Sequence, residues 1–154
     1  RMEQRVEDML NRCGAVLPEK SVGEWAELLL GLERLDGAWT TLLELLRDKG
    51  EQANAAGFDA YMASRQTEYE QLLVYFVYRH LANAFDEIEV AARAAFAALA
   101  YHILRTLGGL LWAQRGEFTF DDQVELARLF SSELEYSEEN MDALLDCLSE
   151  EYVF

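Results

Sequence analysis

LLVYFVYRHL, residues 72–81, decides the fold. The segment is apolar nearly all round and holds no glycine or proline, which predicts a helix covered by neighbours on several sides. A second stretch of the same kind, AARAAFAALA at residues 91–100, has small side chains that let helices approach closely. Around these two segments Ala, Leu, Glu and Arg dominate. Alternating Val, Ile and Thr runs bounded by turns do not occur. The fold class is therefore all-α, a multi-helix bundle of about seven or eight helices with no sheet.

Caps and stops divide the rest. Residues 2–13 form a first helix with Val6, Met9, Leu10 and Cys13 on one side, ended by Gly14 and Pro18. Ser21 with Glu24 makes a capping box for a second helix, whose stripe is Trp25, Leu28, Leu29 and Leu32. Asp36 caps a third, carrying Trp39, Leu42, Leu43 and Leu46 and ending at Gly50. Residues 47–57 read as a polar loop with two glycines. A long helix then spans about 58–85, and Asp86 caps another over 87–115. Within that one, Gly108 and Gly109 predict either a break or a close backbone approach. Thr119 and Asp122 cap a helix over 120–134, and Ser137 starts the last, through about Leu148. The expectation is one helical domain over 1–154, with a subdivision into 1–49 and 58–154 as an option. The opening on Arg1 suggests a C-terminal fragment of a longer protein.

Composition excludes several functions. Of 154 residues 51% are hydrophobic, so the chain folds, and at this length it buries about 70% of its unfolded surface. The net charge of −16 argues against nucleic acid and against anionic membrane surfaces. It suits a basic or lysine-bearing protein partner, or simply solubility. The run of uncharged apolar residues needed to cross a membrane is not found. Two cysteines, Cys13 and Cys147, fit reduced thiols in a cytoplasm better than a disulfide framework, a bridge between the two ends being the alternative, and they cannot make a zinc site. The only histidines, His80 and His102, have Val77 and Leu99 three positions before them, so no Glu-x-x-His pair of a di-iron bundle exists. GxGxxG, P-loop, GxSxG and HExxH patterns are absent. No metal site and no catalytic residue can be assigned.

Two clusters remain as binding or interface candidates. In the first, Tyr75 and Arg79 share a helix face at i, i+4, and Phe76 and His80 share the next. Arg79 and His80 in so apolar a helix need partners. Either they are satisfied within the core or they form a clamp for an anionic ligand or domain. The second is FSSELEYSEEN, residues 130–140. Here Ser137 and Asn140 read as capping chemistry, while Glu133 and Glu135 serve an acidic surface, meet Arg79, or meet a substrate lysine.

Together these stretches carry a resemblance. LLVYFVYRH, the small-residue helix ending in Trp112, and DDQVELARLFSSELEYSEENMDALLD are similar to the C-terminal part of the flagellin lysine-N-methylase family, from about Leu72 to Leu148. The match rests on Tyr75, Phe76 and Arg79, and on Ser131 or Ser132, Glu133, Glu135, Ser137, Glu139 and Asn140. The resemblance implies a bacterial, cytoplasmic protein that methylates lysine side chains of flagellin with S-adenosylmethionine. It also implies a cysteine-rich cluster in an N-terminal part. Cys13 and Cys147 cannot supply that cluster, so this chain alone is expected to bind no cofactor and to work with the remainder of a longer chain. The alternative is a non-enzymatic acidic helical module for interaction or ligand sensing, as a monomer or a homodimer.

Overall fold

A computed structural model describes residues 2–150. Among them lie eight α-helices and no strand: α1 (Met2–Arg12), α2 (Val22–Leu30), α3 (Gly37–Lys49), α4 (Ala55–Tyr61), α5 (Gln66–Leu81), α6 (Glu87–Arg115), α7 (Phe120–Phe130) and α8 (Glu138–Ser149). The all-α expectation holds.

Caps behave largely as their chemistry requires. Asp36 accepts from the Ala38 amide, and Thr119 and Asp122 form a reciprocal box at the start of α7. Ser21 accepts from the Glu24 amide, but the expected capping box is not completed, since Glu24 does not accept from the Ser21 amide; the next amide, of Val22, donates to Glu51 at 2.8 Å. Asp86 accepts from the Glu89 amide at 2.8 Å.

Four expectations are corrected. The polar segment 47–57 is mostly helical: α3 runs to Lys49, a 3₁₀ turn covers Gly50–Gln52, and Asn54 caps α4 by accepting from Gly57. Its glycines misled for a physical reason. Gly50 has helical dihedrals and is small because a β-carbon there would lie 2.7 Å from Val22 Cγ1. The helix expected over 58–85 is broken, with Met62 and a 3₁₀ turn at Ala63–Arg65 separating α4 from α5, and it stops at Leu81. No glycine or proline marks that break. LLVYFVYRHL is not covered all round: α5 buries Tyr69, Leu73, Phe76 and His80, but leaves Val74 63% and Tyr78 80% exposed. Finally, α6 is long and apolar enough by length and composition to cross a membrane, although 83% of its most apolar window is buried within the fold, as in a core helix.

Gly108 and Gly109 do not break α6. Gly109 instead admits the Phe58 ring, whose nearest atom would lie 3.4 Å from an added β-carbon.

The chain forms two compact units. One comprises the residues up to Glu19, Ser64–His102 and those from Asp142 onward; the other comprises Lys20–Ala63 and Ile103–Met141. In the first, α1 lies against α5 with Arg5 paired to Glu70 at 2.8 Å. One small cluster of its buried residues, Ala15, Ala91 and Ala94, is flanked by Leu10, Cys13 and Leu81. Among the described residues no disulfide is formed. In the second unit α2 packs on α3. The core there is aromatic: Trp39 meets Phe130 edge-on at 6.0 Å, and Phe58 contacts Tyr61, Trp112 and Phe118.

Candidate functional site

The acidic motif is built on a change of helical pitch. Beyond Phe130 the chain winds into a π-helical turn, Ser131–Glu135, in which the Tyr136 amide donates to the Ser131 carbonyl at 3.0 Å. Such a turn takes up one more residue than an α-turn. Three consecutive residues are consequently buried: Glu133 (2% exposed), Leu134 and Glu135 (7%).

Glu133 is the centre of this arrangement. Its carboxylate accepts from the Leu35 amide at 2.9 and 3.1 Å and from the Asp36 amide at 2.6 Å. Asp36 is the N-cap of α3, so the negative charge sits where the amides and dipole of that helix favour it. Asn140, 3% exposed, closes the arrangement. Its side-chain amide donates to the Glu33 carbonyl at 2.9 Å and to the Glu133 carbonyl at 2.8 Å. Ser137 caps α8 by accepting from the Asn140 amide at 3.2 Å. Ser131 donates to Glu135 at 2.5 Å. Three of the residues singled out from the sequence, Glu133, Ser137 and Asn140, thus join in one network, while Glu135 is buried beside them and bonds to Ser131. Glu133 and Asn140 clamp the segment 33–36 that joins α2 to α3.

The other three candidates, Tyr75, Arg79 and His80, lie on α5 in the other unit. His80 is buried, stacked on Phe76 at 6.4 Å between centroids and edge-on to Phe96 at 4.9 Å. This is the Phe76–His80 face expected from their spacing. Tyr75 is partly exposed and meets Phe76 edge-on at 5.2 Å, while Arg79 is half-buried.

Some polar contacts were not anticipated. Arg105 pairs with Asp59, joining α6 to α4. The Tyr61 hydroxyl accepts from the Phe118 amide at 3.0 Å and donates to the Phe118 carbonyl at 3.5 Å. A cation in the apolar helix 87–115 was the available signal for the first; nothing in the sequence signals the second. Tyr101, in the first unit, has its phenol pKa pushed well above the ordinary tyrosine range, mainly by burial and then by nearby Glu3 and Tyr69. Among the described residues no group of three His, Cys, Asp or Glu could hold a metal ion.

The fold and its buried carboxylate clamp define an acidic helical domain whose most conspicuous polar residues secure its own connections. The model of the FliB lysine N-methylase C-terminal domain matches residues 8–154. The chain belongs to that family, and the similarity extends well upstream of the half that carries the resemblance in sequence. No curated protein and no solved structure matches it.

Proposed function

We propose that this chain is the helical C-terminal domain of an enzyme that methylates protein lysine side chains, and that it contributes substrate docking and structural support, not a complete active site. The observation that carries the docking role is the concentration of charge late in the chain. Between Glu117 and Glu151 stand twelve carboxylates, of which Glu133 and Glu135 are buried, and one cation, Arg128. Asp142 and Asp146 stand four residues apart on α8, both exposed, where like charges repel one another. The last turn of α8 has no basic residue to offset the helix dipole. A lysine-bearing protein, flagellin in the family resemblance, would relieve that repulsion.

The methyl donor, S-adenosylmethionine, belongs in this reading to the remainder of a longer chain. A donor site here would need free carboxylates to grip the ribose hydroxyls. Of the carboxylates around one cavity of the first unit, Asp86 and the neighbouring Glu89 are engaged with the Glu89 and Phe85 amides, while Glu87 is exposed and, among the described residues, unpaired.

The test is methyl transfer to flagellin by the full-length protein, with Asp142 and Asp146 replaced by their amides. The expected result is a higher KM for flagellin at unchanged kcat. No transfer by the unaltered protein would end the enzymatic reading, and an unchanged KM would end the docking role. A second reading, a non-enzymatic interaction module, draws support from the apolar residues that the first unit leaves exposed.

A further inference from the structure

The connection from α5 to α6 presents an aromatic side chain to solvent beside a hollow. Phe85 is 92% exposed, more than any other large hydrophobic residue described. Its backbone is held: the Ala84 amide donates to Leu81, the Phe85 amide to Glu89 at 2.7 Å, and the Glu89 amide back to Asp86. The ring is therefore projected by a fixed connection. It borders a cavity of about 650 Å³, whose apolar wall includes Cys13, Ala84, Ile88, Val90 and Ala91 and which Arg12, Asp86 and Glu87 also line. An exposed ring beside a hollow with an apolar wall makes that surface complementary to itself.

The charges on the lip agree. Of the three charged residues on the cavity, all exposed, Asp86 accepts from the Glu89 amide, which leaves Arg12 and Glu87. Neither forms an ion pair among the described residues. In an isologous pair related by a two-fold axis, each Arg12 meets the other copy's Glu87, so both ion pairs form at once.

We propose that this surface is a homodimer interface in which Phe85 of each copy enters the hollow of the other and Arg12 pairs with Glu87 across the axis. A second copy is the occupant because the chain itself supplies ring, hollow and both charges. The assignment does not depend on methyl transfer.

Sedimentation equilibrium of the protein over a concentration series tests it, with circular dichroism to confirm that each variant is folded. The unaltered protein is expected to dimerise, and Phe85→Glu to be monomeric throughout. Because each contact occurs twice, Arg12→Glu and Glu87→Arg singly should weaken association by about tenfold, and the two together should restore it to within about threefold. A protein monomeric at every concentration overturns the proposal. So does a Phe85→Glu dimer as tight as the original, or a double variant as weak as the single ones.

Discussion

Replacing Glu133 by alanine removes one carboxylate and leaves two donors behind. The carboxylate accepts from Leu35 and Asp36 at 2.6–3.1 Å and is almost wholly buried. A hydrogen bond to a charged group contributes about 1.5–3 kcal/mol, and an orphaned buried donor costs about 1–3 kcal/mol. These amides stand at the edge of the fold, since Leu35 and Asp36 themselves are exposed, so water recovers part of the loss. The expected net loss is about 3–4 kcal/mol for Glu133→Ala. Glu133→Gln keeps one acceptor oxygen and should lose about 1–2 kcal/mol. Urea denaturation followed by circular dichroism reads both, with an unchanged slope showing that the same surface unfolds. Asn140→Ala should be non-additive with Glu133→Ala, because both residues hold the segment 33–36. A loss below about 1 kcal/mol for Glu133→Ala, or strict additivity with Asn140→Ala, would refute the clamp.

Three further outcomes are expected. Gly50→Ala should destabilise by about 1–3 kcal/mol because its β-carbon would lie 2.7 Å from Val22, whereas Gly109→Ala, 3.4 Å from the Phe58 ring, should be neutral or gain up to about 1 kcal/mol of helix propensity; thermal melts compare them. Tyr61→Phe should cost about 1–2 kcal/mol through the loss of both hydrogen bonds to Phe118, read by the same melts. Tyr101 has a folded pKa raised above its unfolded value, so its stabilising contribution is complete below about pH 10 and declines as pH rises beyond that; Tyr101→Phe should flatten the alkaline arm of a stability–pH curve.

Where a helix begins was legible because caps are local chemistry. Ser21, Asp36 and Thr119 each accept from an amide two or three positions on, as their side chains allow in isolation. Where a helix changes was not. Met62–Arg65 holds no residue that disfavours helix, and the break there follows from packing: Phe58 and Tyr61 are drawn into an aromatic cluster with Trp112 and Phe118. Exposure also escaped pattern reading. Val74 and Tyr78 look like core residues by type, and only the neighbours of α5 decide that Phe76 and His80 are covered instead. The acidic motif was found by its residues, but its geometry rests on partners about a hundred positions upstream, at Glu33, Leu35 and Asp36.

The π-helical turn makes the domain sensitive to length at one point. A chain shorter by a single residue between Phe130 and Tyr136 would tighten this turn to α-helical pitch: side chains beyond it would keep their facing, but those inside the turn would be displaced around the axis. Glu133 would then swing away from Leu35 and Asp36, and the connection between α2 and α3 would lose its anchor. One surplus residue thus works as a counting device. It records in the chain's length, as well as in its composition, that a remote loop must be held.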